Sequence, residues 1–424
     1  MVRENGVIQN HQPVPGDEIF AAIQRHTSPG LAFGYKMMGA DAYEVEATGV
    51  TVRLSDGREL LDFGAYAVTL LGHLPQPVVA ATMRQLGLMA ASTRALANPV
   101  TAKFVADLTA RCAPLDRVWL GSDGADAVEA AIKLARRATG RSRVLAVEDA
   151  FHGKTMGALA LTAHPGFRAG LEPLLDHVTH VPRDEPDAVA EAVARGDVAA
   201  LVLEPIQGEG GVRGLEPAVV EAWIGAARGA GAFVIADEIQ VGLGRCGPFS
   251  LALDAGWEPD AVLFGKALGG GVLPISALVA TSELFAPLVA DPTWHTSTFG
   301  GHPLACAAAQ ATLTMLDELA TRGEVIAAAL ERGLRELATR HDDVIVEVRG
   351  RGLLWGLELR TPGAAGAAML ELARAGVLLT PCLGAPATLR VLPPLVANDA
   401  EIERALDAID LALAASAEYV IDAA

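Results

Sequence analysis

Phe233-Val234-Ile235-Ala236-Asp237-Glu238 is an unbroken apolar run that ends in two acids. Leu263-Phe264-Gly265-Lys266-Ala267-Leu268-Gly269-Gly270-Gly271 is a second such run, and it breaks into a glycine-rich turn. Short runs without polar alternation are the mark of strands buried on both faces, as in a parallel sheet covered by helices. Working outward, strand-like runs fall at 118–120, 143–147, 199–203, 232–236, 261–264 and 276–280, with helical patterns between several of them, as at 125–138 and 217–229. That alternation predicts an α/β region with a mainly parallel sheet.

The flanks read differently. The first forty residues carry Pro13, Pro15, Gly16, Pro29 and Gly30, which predicts an N-terminal arm and one short helix. Residues 49–63 predict a hairpin: Val52, Leu54, Leu60 and Phe63 are among its apolar positions and Asp56-Gly57 is the turn signal. Beyond 305 come a helix over 304–319, a second over 323–340, strand-like runs at 344–348, 353–359 and 389–392, and a C-terminal helix. These form a smaller α+β unit. The expected division is residues 1–75 as arm and hairpin packing with the small unit, 76–305 as a large domain, and 306–424 as a small domain.

Composition narrows the function classes. The chain has 424 residues, 51% hydrophobic and 20% charged, with a net charge of -18. That charge disfavours nucleic acid or an anionic membrane as a partner. No apolar run reaches the roughly 18 residues needed to span a bilayer. The start, Met1-Val2-Arg3-Glu4-Asn5, lacks the apolar core of a secretory signal. Cys112, Cys246, Cys306 and Cys382 are scattered without a CxxC pair, which reads as reduced thiols in a cytoplasmic protein.

Lys266 is one of only five lysines. In apolar surroundings an ammonium is poorly hydrated, the neutral amine is favoured, and a neutral amine can attack an aldehyde. An acid at one strand end and a lysine past the next suggest a pyridoxal phosphate (PLP) site, with Asp237 on the pyridinium nitrogen and Lys266 on the aldehyde carbon. Other loops follow strand ends, where ligands gather in open α/β sheets. Ser122-Asp123-Gly124-Ala125-Asp126 opens a helix, and its backbone N–H groups suit either a phosphate or a plain capped start. Phe151-His152 offers a ring to stack on a cofactor, or a core aromatic beside a polar loop. Glu204-Pro205-Ile206-Gln207-Gly208-Glu209 brings two carboxylates and an amide, or is a solvated turn. Gln240 lies three residues past Asp237, within reach of a ring hydroxyl. The loop at Thr298 supplies a hydroxyl for phosphate or a helix cap. Arg390, in an apolar strand, needs an anion: a substrate carboxylate or a structural partner.

Several chemistries fail on residues. A nucleotide P-loop requires Gly and Ser/Thr where Asp260 and Ala267 stand. No HExxH pair occurs among the histidines, so no zincin-type metal site is expected, and no G-x-S-x-G elbow is present.

Taken together, Asp237-Glu238-Ile239-Gln240, Gly265-Lys266-Ala267-Leu268-Gly269-Gly270-Gly271, Glu204 to Glu209 and Thr298-Phe299-Gly300-Gly301 resemble a class III (ω-) aminotransferase of PLP fold type I, most like putrescine, ornithine and acetylornithine enzymes. The resemblance runs from about Gly49 to the last helix. It implies that Lys266 holds the cofactor and shuttles a proton, that Asp237 binds the ring nitrogen, that Gln240 contacts the ring hydroxyl and that Phe151 stacks on the ring beside His152. It implies phosphate binding by the backbone of Gly124 and Ala125, and by Thr298 from a second subunit, hence a homodimer. Arg390 matches the arginine that binds the α-carboxylate of glutamate or 2-oxoglutarate, and Glu209 the acid that covers it when the other substrate has no carboxylate. Tyr66 falls in the segment that lines the substrate pocket.

The chain departs from the family at Asp123 and Ala125, which leave the phosphate loop without a hydroxyl there. It departs also at Gly72-His73-Leu74-Pro75-Gln76, Val241, His302, Met37 and Met38. The expected reaction is transfer of an amino group, from a terminal amine, to a keto acid such as 2-oxoglutarate or pyruvate, or the amination of an aldehyde in a biosynthetic pathway. An aminomutase, racemase or decarboxylase on the same scaffold is the alternative.

Overall fold

A computed structural model describes residues 14–64, 66–174 and 176–423. Most of the expected N-terminal arm, residues 1–13, lies outside the described residues. The central element is a seven-stranded sheet in the order Arg117–Gly121, Ser276–Ala280, Ala261–Phe264, Phe233–Asp237, Val198–Leu203, Arg143–Val147, Val178–Val181. Ser276–Ala280 runs antiparallel to both neighbours, and the remaining pairs are parallel. The chain therefore has the mainly parallel α/β sheet that its apolar runs predict.

Strand periodicity sends alternate side chains to opposite faces. Val144 and Ala146 pack with the helix Gly124–Thr139 on one face, through Ala127, Val128, Ala131 and Leu134. Leu145 and Val147 point the other way and pack with Val220, Trp223 and Ile224 of the helix Pro217–Gly229. Each face is dry, which is why the strands carry no polar alternation. The edge strand Val178–Val181 has Thr179 and His180 at its centre, so it offers no apolar run and was not expected from sequence.

Two four-stranded sheets lie beside this core, and Ile206–Gln207 pairs with Arg213–Gly214 in a two-stranded one. Glu44–Thr48, Thr51–Leu54 and Glu59–Asp62 form a meander, extended by Val377–Leu378, which pairs parallel to Glu59–Asp62. The expected hairpin is there, closed at Gly57 with φ of 90°. The other sheet runs Ile345–Arg351, Leu354–Leu359, Thr388–Val391, Thr380–Pro381.

Two expectations need correction. The segment before residue 40 forms two helices, Gly16–His26 and Pro29–Gly39, in place of one short helix; Pro29 sits at a first-turn position, where its missing N–H does no harm. The two helices expected at 304–319 and 323–340 are one helix of 38 residues, Pro303–Arg340. Gly323 in its interior costs only about 1 kcal/mol relative to alanine, too little to break a helix that packs along much of its length. A Cβ at Gly323 would come within 2.8 Å of Leu395 Cδ2, so close packing accounts for the glycine. No described helix is long and apolar enough to cross a membrane.

Candidate active site

Parallel pairing sets Asp237 opposite Leu263, so Asp237 and Lys266 emerge at the same edge of the sheet. Lys266 begins a short 3-10 turn with φ of 43°, a left-handed conformation that a side-chain-bearing residue adopts only under the constraint of its surroundings. Gly270 and Gly271 carry the turn onward at φ of 65° and 72°, and a Cβ on Gly270 would fall 2.7 Å from Thr312 Oγ1.

A cavity of about 190 Å³ opens between these strand ends. Its lining includes Lys266, Asp237, Gln240, Glu209, Phe151, His152, Gly124 and Ala125, so one small space gathers residues from five separate sequence segments. Gly153, Glu204 and Ile239 complete the wall. Ile239 carries no polar signal and was passed over in the sequence, although its place two residues after a strand-end acid was the available clue. Glu204 stood in a recognised motif without an assigned task.

Asp237 Oδ2 lies 2.7 Å from His152 Nδ1, and Asp237 Oδ1 accepts the Ile239 N–H at 3.1 Å. Burial acts to lower the pKa of His152, and the hydrogen bond and charge of Asp237 outweigh it, so the imidazole sits above its ordinary value. Glu204 accepts the Phe151 N–H at 2.9 Å. Burial, against the pull of His152, pushes its carboxyl up to about 7. The neighbouring acid Glu238 faces away: it accepts from Ser250 Oγ at 2.6 Å and from the N–H groups of Leu251 and Ala252 at 2.8 Å, where it caps a helix start. Strand alternation thus gives two adjacent acids different tasks.

Burial lowers the pKa of the Lys266 amine below the ordinary 10.5, opposed by Glu209 and Asp237. Arg390, fully buried and not itself among the lining residues, donates from Nη1 to Glu209 Oε1, while Leu383 N–H reaches Glu209 Oε2 at 2.9 Å and Gln240 Nε2 reaches Oε1 at 3.2 Å. Burial would raise the carboxyl of Glu209, but the guanidinium prevails and holds it below the ordinary range. Arg390 Nε and Nη2 are buried with no hydrogen-bond partner.

Asp123 caps the helix Gly124–Thr139 by accepting the Asp126 N–H at 3.2 Å. No side-chain oxygen caps Gly124 or Ala125, whose backbone N–H groups lie in the first turn at the cavity. Thr298 and Tyr66 do not line the cavity. Thr298 is exposed, its carbonyl held by Arg94 Nη1 at 2.9 Å. Tyr66 is 62% exposed in a tight turn with φ of 49°.

The donor set suits PLP. An amine and a carboxylate line one cavity, Phe151 and Ile239 supply apolar wall, and a helix N-terminus whose side-chain cap takes only the Asp126 N–H leaves the Gly124 and Ala125 N–H groups to a phosphate. A Cβ on Gly124 would fall 2.9 Å from Ile239 Cγ2, so this close approach requires glycine.

The model of the family "Aminotransferase class-III" matches residues 36–413. The chain belongs to the class III aminotransferases. Like other members it uses PLP and catalyses transamination. The fold matches ornithine aminotransferase from Toxoplasma gondii ME49 with a TM-score of 0.87 and 31% identity, over 96% of this chain and 97% of that one. It matches acetylornithine aminotransferase from Elizabethkingia anophelis with a TM-score of 0.79 and 27% identity, over 95% and 99%. An (S)-enantioselective omega-transaminase from Thermomicrobium roseum gives 0.84 and 26%, over 96% and 99%.

Proposed function

We propose that this aminotransferase takes an amino group from a terminal (ω) amine and passes it to a keto acid such as 2-oxoglutarate or pyruvate. The observation that carries the reading is the buried Glu209–Arg390 pair: Glu209 lines the cavity that holds Lys266 and Asp237, and Arg390, outside that lining, is its ion-pair partner. With Glu209 over Arg390 the wall is neutral and suits a chain end without a carboxylate. With Glu209 withdrawn, Arg390 offers its fork to the α-carboxylate of a keto acid.

Bound PLP supplies an aldehyde that receives the amino group and a ring that accepts electron density. Lys266 would hold that aldehyde, and its neutral Nζ would take the proton from the carbon bearing the substrate amine. Asp237 stays paired with His152 and presents negative charge to the ring nitrogen. Phe151 and Ile239 would hold the ring between them, Gln240 would meet the ring hydroxyl, and the Gly124 and Ala125 N–H groups would hold the phosphate. Tyr66 serves the substrate entrance.

The exposed Thr298 fits a homodimer in which the partner subunit's Thr298 completes the phosphate site. Phe299 and Leu96, 62% and 74% exposed beside the same loop region, are apolar surface for such a contact. The described cysteines are free and buried, which suits a reducing cytoplasm.

The deciding experiment incubates the PLP-loaded enzyme with candidate amines (putrescine, ornithine, acetylornithine, lysine, 4-aminobutyrate) and follows the cofactor absorption band. A donor bleaches the band and yields one pyridoxamine phosphate per site, and 2-oxoglutarate or pyruvate restores it. Turnover of an amine without pyridoxamine phosphate formation would overturn the reading in favour of another PLP reaction. Sedimentation of the holoenzyme as a monomer would remove the shared phosphate site.

A further inference from the structure

Arg390 and the turn that grips Glu209 belong to one hairpin. Thr380–Pro381 pairs antiparallel with Thr388–Val391, with Thr380 opposite Arg390 and Pro381 opposite Leu389. The turn between them closes with Cys382 N–H on the Thr388 carbonyl at 2.8 Å and Thr388 N–H on the Ala385 carbonyl at 2.9 Å. Successive residues of this turn then reach across to the loop that carries Glu209. Cys382 Sγ donates to the Gly208 carbonyl at 3.3 Å, Leu383 N–H to Glu209 Oε2 at 2.9 Å, and Gly384 N–H to the Glu209 carbonyl at 3.0 Å. Burial pushes the Cys382 thiol up to about 12, so it remains an S–H donor at neutral pH.

We infer that the Cys382–Gly384 turn is a latch that positions Glu209 over Arg390 and thereby sets the balance between substrates with and without a carboxylate at this end of the cavity. The inference rests on the Glu209–Arg390 reading and adds what holds Glu209 in place. Arg390 supplies the attraction, but an arginine alone would hold any carboxylate. The latch makes Glu209 the resident one, because an incoming acid must break the Leu383 contact as well as the ion pair. Gln240 closes the remaining side: a Cβ on Gly208 would lie 1.9 Å from Gln240 Oε1, so the loop approaches this closely only with glycine there. Leu383, Cys382 and Gly384 touch no cavity-lining role of their own and act through Glu209 as positioning residues.

Gly384 gives the cleanest test. Its φ lies outside the left-handed region, so alanine suits its backbone. The added methyl would meet the Glu209 carbonyl oxygen at 3.0 Å and nothing else nearer than the carbonyl carbon at 3.6 Å. Gly384→Ala is therefore a wedge aimed at Glu209. The expected result is a KM for 2-oxoglutarate about fivefold lower with kcat little changed, and a kcat/KM for the carboxylate-free amine about fivefold lower. The same wedge tightens glutarate binding to the apoenzyme, measured by calorimetry, by a similar factor. Cys382→Ala moves these quantities in the same direction by a smaller factor, and Cys382→Ser, which keeps a donor, returns them towards the parent values. Glu209→Gln runs alongside. If Glu209→Gln leaves the acid-to-amine preference unchanged, the Glu209–Arg390 reading fails. If Glu209→Gln shifts it while folded Gly384→Ala and Cys382→Ala do not, the latch is overturned and the reading stands. If Gly384→Ala does not fold, the Cys382 pair alone decides, with equal loss in Cys382→Ala and Cys382→Ser as the overturning result.

Discussion

Nδ1 of His152 lies 2.7 Å from Oδ2 of Asp237, with both side chains buried. The two come from different strand ends, and the contact fixes which way the Asp237 carboxylate faces. His152 Nε2 is buried without a partner, so Asp237 is the contact that orients this ring among the described residues. Removing a hydrogen bond to a charged group costs about 1.5–3 kcal/mol. His152→Ala is therefore expected to weaken PLP binding to the apoenzyme by about tenfold or more, read by fluorescence quenching. A double-mutant cycle with Asp237→Asn is expected to show coupling of about 1 kcal/mol or more, and additive losses would mean that the contact does not orient Asp237.

Lys266 combines a left-handed φ with an amine whose pKa is lowered by burial. Between that lowered value and 10.5 the unfolded chain binds a proton that the native chain does not, so apoenzyme stability rises with pH through this window. Below the native value the penalty is full, and above 10.5 it vanishes. Apo Lys266→Met lacks the penalty. It is expected to melt above the parent apoenzyme at neutral pH, with the gap narrowing as the pH rises towards 10.5, while turnover of the reconstituted variant is lost. A gap that is constant with pH would show that Lys266 carries no such linkage.

Arg390 and Glu209 depend on each other. Removing one partner of a buried ion pair leaves an uncompensated charge and costs about 3–5 kcal/mol. Arg390→Met is expected to destabilise the apoenzyme by about that amount in urea unfolding, with much of it recovered by adding Glu209→Gln. In the holoenzyme, Arg390→Met raises the KM for 2-oxoglutarate by about 100-fold, since a charged, two-point contact is lost. An unchanged KM would place the carboxylate site elsewhere.

The first turn of the helix Gly124–Thr139, where we place the phosphate, has backbone donors and no hydroxyl. Ala125→Ser adds one where a bound phosphate would accept it, and a charge-assisted hydrogen bond is expected to lower the Kd for PLP by about fivefold. Pyridoxal without the phosphate serves as the control and should bind the variant and the parent alike. Equal tightening for both would locate the added contact away from the phosphate.

Chemistry was legible where residue type and local pattern agree. The runs at 143–147, 261–264 and 276–280 match the strands residue for residue, since a strand buried on both faces leaves an apolar run that nothing else explains. Asp237 and Lys266 stood out because an ionisable group at the end of such a run needs a partner. The edge strand Val178–Val181 escaped notice because one open side removes the need for apolar residues. The break expected near Gly323 failed because helix packing outweighs one glycine. Ile239 escaped because an apolar wall looks the same as any core position.

The sequence by itself determined the parallel sheet, the strand-end amine and acid, and the membership of a PLP-dependent family, because each depends on the chemistry of short segments. Only the tertiary structure decided which acid faces the cavity and which caps a helix, that His152 holds Asp237, and that one hairpin carries both Arg390 and the turn that grips Glu209. Those relationships join residues as much as 181 positions apart, and their physical content is a distance and a direction. No local pattern encodes either one, since packing of the whole chain sets them.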